Sequence, residues 1–277
     1  MAVSCQSVLK NCRLAQTSDI EWTDATWNPV TGCTKVSAGC DNCYAERFSE
    51  RFRGVPGHPF EVGFDLKLRP DRLETPLGWR KPRMIFVNLM SDLFHKEVPE
   101  ALVHRVFDTM ERASWHIFRM LTKRSSLMRD FINTRYADRP VPPHIWLGVS
   151  VEHRRAVSRV RHLQETNATV RFLSVEPLIG DVGEFSMAGL HWVIVGGESG
   201  PKSRPVRPEW AARVRDMCIA QGISFFFKQW GAFGETGARG PKIGNGRTLD
   251  GRTWDQLPHH KSNKTVHLTR ADERQPV

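Results

Sequence analysis

From residue 84 to residue 229 the chain alternates short, continuously apolar runs with longer stretches in which apolar residues recur every three or four positions. The runs Met84–Met90, His116–Leu121, His144–Val149, Val170–Val175, Leu190–Val195 and Ile223–Phe227 have strand length, and their continuity marks strands covered on both faces. Between the first two, Val103, Val106, Phe107 and Met110 fall at i, i+3, i+4 and i+7, one apolar stripe of a helix. Further helices are expected as a basic segment from Ser125, around Arg154–Gln164, and from Pro208. A proline suits a first helical turn, and Trp210, Val214, Met217 and Cys218 would face inward from that last helix. Upstream, Ile20–Val30 mixes β-formers with Asn28-Pro29 and reads as a first strand ending in a turn, and a helix begins at Tyr44. Strands alternating with helices imply a parallel sheet with right-handed crossovers. Seven such units predict an α/β fold, a partial (β/α) barrel with parallel strands.

The barrel is assigned to residues 19–233, with an Arg-, Pro- and Gly-rich insertion at 51–82 that has room for a helix over Asp71–Trp79. Residues 1–18 lack periodicity and read as a flexible arm carrying Cys5 and Cys12 as free thiols. Residues 234–277 form a C-terminal extension with a small apolar island at Leu249–Trp254 and a polar, flexible end beyond Pro258. At 277 residues the chain is long enough for one large core. The balance of 40 Lys+Arg against 30 Asp+Glu, a net charge of +10, favours an anionic partner. No apolar run approaches the roughly 20 residues of a membrane span, and the N-terminus lacks a signal-peptide core. A cytoplasmic protein with reduced thiols is expected.

The chemistry concentrates at Cys33, Cys40 and Cys43, spaced Cys-x6-Cys-x2-Cys between the first strand and the first helix. Three thiolates so close together suit a cubane cluster, holding three irons and leaving the fourth open. A structural zinc normally takes four ligands, and here would have to recruit a distant residue such as His58 or His95. Inert or redox-active thiols are the third reading.

Each strand runs out into polar residues. The ends read Asn88-Leu89-Met90-Ser91-Asp92, Leu121-Thr122-Lys123-Arg124, Gly148-Val149-Ser150-Val151-Glu152, Ser174-Val175-Glu176-Pro177, Gly196-Gly197-Glu198-Ser199-Gly200 and Lys228-Gln229-Trp230-Gly231. In parallel barrels the site lies at the carboxyl ends of the strands, so six such sets converging with the cysteine loop predict one shared site. Ser91, Asp92 and Ser125 also suit helix capping. Glu152, Glu176 and Glu198 suit hydrogen bonding to ribose hydroxyls or acid–base work, or else ion pairing with Lys123, Lys228 or Arg204. The Gly196–Gly200 loop has the composition of an anion cradle and equally of a tight turn.

Cys33 and Cys40-Asp41-Asn42-Cys43-Tyr44-Ala45 resemble the cluster loop of radical S-adenosylmethionine (SAM) enzymes, in particular the spore photoproduct lyase-like branch, where Cys-Tyr-Ala also closes the motif. The usual spacing there is Cys-x3-Cys-x2-Cys, three residues shorter. The ensemble of Trp27-Asn28-Pro29, Val87–His95, Leu121–Arg124, Leu147–Glu152, Phe172–Leu178, Gly196–Gly200, Phe227–Gly231 and Leu249–Trp254 resembles a phage-associated family of unknown function. That likeness covers roughly residues 20–258. It implies a [4Fe–4S] cluster on Cys33, Cys40 and Cys43, with SAM on the open iron as the source of a 5′-deoxyadenosyl radical. It also implies Asn88 and Ser91 near the amino-acid end of SAM, Ser150 and Glu152 near its ribose, and Lys123, Glu176, Glu198 and Lys228 on the substrate side.

The net charge, the arginines at Arg51–Arg53, Arg69–Arg83 and Arg154–Arg161, and the lyase-like motif point to DNA or RNA as substrate, modified or repaired, with a nucleotide-like metabolite as the other enzymatic choice. Trp22, Trp27, Trp79 and Trp230 have the rings to stack bases or to pack the core. The alternative from another class is a non-catalytic nucleic-acid-binding protein with a structural zinc or iron–sulfur site. The electron donor and the oligomeric state have no signature in the sequence.

Overall fold

The computed structural model describes residues 23–258. The expected N-terminal arm with Cys5 and Cys12, the start of the first strand with Trp22, and the polar end past Pro258 lie outside the described residues. In chain order the strands are β1 (Ala25–Trp27), β2 (Val30–Thr31), β3 (Lys67–Leu68), β4 (Met84–Val87), β5 (Ile117–Thr122), β6 (Ile145–Ser150), β7 (Val170–Val175), β8 (Trp192–Gly196), β9 (Ser224–Gln229), β10 (Thr248–Leu249) and β11 (Arg252–Thr253). The helices are α1 (Tyr44–Glu50), α2 (Glu100–Arg112), α3 (Ser125–Arg135), α4 (Ser158–Gln164), α5 (Pro208–Ala220) and α6 (Lys242–Asn245).

Seven strands form one sheet in the order β1-β4-β5-β6-β7-β8-β9, and every neighbouring pair is parallel. The sheet is an open α/β half-barrel, as the alternation of runs implied. β7 and α5 occupy the expected residues. Three expectations are corrected. Asp71–Trp79 forms two short 3-10 turns, Pro70–Arg72 and Thr75–Gly78, because Pro76 falls where a helix begun at Pro70 would need an amide donor. The segment around Arg154 begins as a 3-10 turn and becomes helical only at Ser158. Among the described residues no helix separates β7 from β8, whose connection, residues 176–191, is irregular.

The strands bury both faces, in two different cores. On the outer face Phe118, Leu147, Val149, Leu173, Val193, Val195, Phe225 and Phe227 join apolar residues of α2 to α5 in one cluster. On the inner face Phe86, Trp146, Phe172, Trp192, Ile194 and Phe226 form a second cluster built from strands, with Leu257 against it. A β-carbon on Gly148 would lie 2.5 Å from the Phe172 ring, so glycine is what lets that ring cross the floor of the half-barrel. Arg119 is fully buried there, its guanidinium 5.0 Å and 4.9 Å from the Trp146 and Trp192 ring centres, and burial pulls its pKa down to about 9.

The extension after β9 returns along the sheet. Phe227 N donates to Trp254 O and Phe226 bridges Asp255, so the chain covers part of the β9 edge that would otherwise offer unpaired amides. The Leu249–Trp254 island is a two-stranded hairpin of β10 and β11 with both end residues buried.

Candidate functional site

The cysteine loop starts where β1 ends. β2 pairs antiparallel with β3, and the chain then turns at Gly32 with φ +83. A side chain there would run into the Asp65 carbonyl at 2.1 Å, so only glycine lets the loop leave the ribbon at this angle. Gly32 N donates to Met90 O at 3.0 Å and Ser91 Oγ donates to Val30 O at 2.9 Å, tying the loop's root to the end of β4. Residues 38–40 form a 3-10 turn, and α1 begins directly after Cys43. Cys33, Cys40 and Cys43 are free and half-buried. Burial pushes the Cys33 and Cys43 thiols above their ordinary value, more strongly than nearby Arg124 lowers the first and the Glu46 and Ala45 amides lower the second. Among the described residues no three His, Cys, Asp or Glu side chains are gathered around the position of a single metal ion.

Polar side chains at the carboxyl ends of the strands hold this loop across the mouth of the half-barrel. From beyond β5, Arg124 donates through Nη2 to Thr34 O at 3.0 Å and through Nη1 to the Cys33 sulfur at 3.4 Å. Its Nη1 also reaches Asp92 Oδ2 at 3.0 Å, and Asp92 accepts further from the Thr122 hydroxyl at 2.7 Å and from the amides of Phe94 and Lys123. From beyond β6, Glu152 accepts from the Ser37 hydroxyl and, at 2.8 Å, from Arg159. From beyond β8, Glu198 accepts from Asn42 Nδ2 at 3.0 Å and from Arg204 at 2.6 Å, and Arg204 reaches on to Ala38 O at 2.8 Å. Burial by itself would raise both glutamates. Ser37, Lys123 and Arg159 outweigh it at Glu152, and Arg204 with Asn42 outweighs it at Glu198, so both carboxyls stay below the usual range and charged at neutral pH.

Glu152 and Glu198 are thus brought onto the cysteine loop, with arginine partners. Lys123 lies close enough to Glu152 and Cys43 to act on both electrostatically. Glu176 and Lys228 meet each other instead, with Nζ at 2.7 Å and 3.0 Å from the two carboxylate oxygens. A β-carbon on Gly196 would lie 3.1 Å from the Glu176 carboxyl, which places that pair on the inner face of β8. The Tyr44 hydroxyl donates to Leu89 O at 3.0 Å. Ser150 is buried at the end of β6, and its carbonyl accepts from Arg159. Asn88 stands apart. It follows β4 in the left-handed region with φ 57, is buried, and neither atom of its side-chain amide has a partner among the described residues. Buried side-chain amides are as a rule hydrogen-bonded, so this one is placed to take a partner from outside the chain.

Sequence reasoning gave no role at the site to Ser37, Asn42 or Arg159, set Asp92 and Arg124 on the rim without naming their partners, and named Arg204 only as an ion-pair partner, which it is for Glu198. The signal was available only in part. A carboxylate and an arginine past a strand end can be read as a pair, but not which loop carbonyl the arginine will reach. His95, considered as a zinc ligand, pairs through Nε2 with the Thr34 hydroxyl at 2.8 Å, while its Nδ1 accepts from the Glu97 amide. Burial and Arg124 lower its pKa, so it is neutral.

Fold and site together define a class: an open parallel α/β half-barrel that carries a three-cysteine loop on its carboxyl-terminal rim. The chain belongs to the family described as "Protein of unknown function (DUF5131)", whose model matches residues 17–258. No curated protein matches it. Among solved structures it is similar to spore photoproduct lyase complexed with a dinucleoside spore photoproduct, at 10% identity and a TM-score of 0.46, over 75% of this chain and 64% of that one. A cysteine-to-serine mutant of spore photoproduct lyase matches at 12% identity and a TM-score of 0.44, over 66% of this chain and 58% of that one. At these scores the likeness carries no weight for activity. Among the described residues no helix is long and apolar enough to cross a membrane.

Proposed function

We propose that the protein is a radical SAM-type enzyme in which Cys33, Cys40 and Cys43 hold a [4Fe–4S] cluster, and that it modifies or repairs nucleic acid or a nucleotide-like substrate in a reducing, cytoplasmic setting. The observation that carries this reading is the loop itself, three half-buried thiols held across the mouth of a parallel half-barrel from the ends of several strands. The residues fit the group. In a cubane each thiolate takes a different iron, so three cysteines on one loop can serve it without converging on a single point. When bound with SAM, such a cluster supplies one electron to break the sulfonium and yield a 5′-deoxyadenosyl radical.

The chain's own residues then bind and orient. Asn88, with an uncompensated buried amide, takes the amino-acid end of SAM, with Ser91 beside it at the root of the loop. Ser150 and Glu152 serve the ribose side, and Glu152 also steadies Ser37. Lys123, Glu176, Lys228 and Glu198 line the substrate side. The Glu176–Lys228 pair presents a charge-neutral polar surface on the inner wall, and the net charge of +10 favours a polyanion approaching from outside.

Oxygen-free purification and reconstitution test this directly. The expected result is a brown protein with about four irons and four sulfides per chain that releases 5′-deoxyadenosine from SAM under a chemical reductant. Cys40→Ala should abolish that release while leaving the thermal transition in place. A colourless protein holding one tight zinc, or release that persists in Cys40→Ala, would overturn the proposal.

A further inference from the structure

The three cysteines are not equivalent. The Cys33 sulfur receives a guanidinium N–H from Arg124 at 3.4 Å, while the contacts to Cys43 come from the backbone amides of Glu46 and Ala45. Arg124 cannot easily leave. Its side chain is only 11% exposed, its Nη1 is shared with Asp92, and its Nη2 is bound to both Thr34 O and Thr34 Oγ1, at 3.0 Å and 3.1 Å. Asp92 is fixed in turn by Thr122 and two backbone amides, and the Thr34 hydroxyl by His95. A planar, permanently charged fork is therefore locked with one prong on a sulfur and the other on the next residue's carbonyl.

We propose that Arg124 is a positioning residue that sets the redox poise of the cysteine-held group: its positive charge and its N–H on the Cys33 sulfur raise the cluster's reduction potential. The inference rests on the cluster reading above. Adding an electron makes a thiolate-bound cluster more negative, and potentials of such clusters respond to net charge and to hydrogen bonds on their sulfurs. Asp92, paired with the same guanidinium, acts on Cys33 in the opposite direction, but the guanidinium N–H is the group in contact with the sulfur, and that contact favours the reduced state. The same contact makes Cys33 the ligand whose sulfur the protein itself helps to neutralise, which no feature of the Cys-x6-Cys-x2-Cys spacing discloses.

The test is a redox titration followed by electron paramagnetic resonance on the oxygen-free, reconstituted full chain, comparing wild type with Arg124→Gln, Arg124→Leu, Arg124→Lys and Thr34→Val. Arg124→Gln and Arg124→Leu should disfavour reduction at least tenfold, a fall of about 59 mV for one electron. Arg124→Lys, which keeps the charge but loses the fork, should fall by less. Thr34→Val removes the hydroxyl contacts to Arg124 and His95 and leaves the carbonyl and sulfur contacts, so its potential should stay at the wild-type value. Fully loaded neutral variants with an unchanged potential overturn the proposal, as does a shift in Thr34→Val equal to that in Arg124→Gln, which would make tethering the cause. If the neutral variants lose their iron, Arg124→Lys decides, and a potential identical to wild type counts against the proposal. A wild-type protein without a cluster fails at the first step and removes the underlying reading and this inference together.

Discussion

Two arginines strap the cysteine loop to the rim, and they differ in how much water reaches them. Arg124 with Asp92 works at side-chain exposures of 11% and 9%, and Arg204 with Glu198 at 32% and 4%. Each arginine joins a buried carboxylate on the rim to a carbonyl on the loop, Thr34 O in one case and Ala38 O in the other. A third fork, Arg53 between Glu50 and Asp65, repeats the construction on the open surface. Hydrogen-bond geometry is similar in all three. What differs is the water a charge recovers when its partner is removed, and that should decide their energetic weight.

The largest effect is expected at the driest strap. Asp92→Ala leaves the Arg124 guanidinium buried without its carboxylate and strands the Thr122 hydroxyl and two amides, so a loss of about 3–5 kcal/mol is expected in denaturant unfolding. A loss no larger than at Glu198 would break the comparison. Glu198→Ala should cost about 1.5–3 kcal/mol, because Arg204 can turn toward solvent while Asn42 loses one of its two acceptors and keeps Lys202 O. Here the loop should loosen, read as faster amide exchange over residues 38–42.

Acid sharpens the contrast. Arg204 and Asn42 hold the Glu198 carboxyl below the usual carboxylate range. Its stabilising contribution is then fully present above the ordinary glutamate value of about 4.3 and is lost as pH falls through the lower folded value, because the unfolded chain binds the proton first. The wild-type acid limb should therefore be steeper than that of Glu198→Gln, and parallel limbs would refute this assignment. The smallest effect belongs to the surface fork. Arg53→Ala should leave the denaturation midpoint close to the wild-type value, and closer still in high salt.

Much of the fold was legible because a strand buried on both faces has to be continuously apolar and a helix on a sheet needs one stripe. Val170–Val175 and Pro208–Ala220 obey these rules and sit where the rules put them. The failures have local causes. The insertion had room for a helix over Asp71–Trp79, and Pro76 inside that span limits it to short turns. The region of the site was legible too, since polar residues at strand ends and a cysteine loop share one rim in any parallel barrel. The partners were not. Asn42 and Glu198 are 156 residues apart in the chain, and Ser37 and Glu152 are 115 apart.

By itself, then, the amino-acid sequence determined the parallel α/β class, the order of its units, and the three thiols with their spacing, because periodicity and residue type are local properties of a chain. Only the tertiary structure decided that Glu152 and Glu198 clasp the cysteine loop through serine, asparagine and arginine, that Glu176 keeps to Lys228, and that Asn88 is left with an unanswered amide. Those outcomes depend on which buried charges reach a partner before they reach water, a competition set by packing across the whole rim.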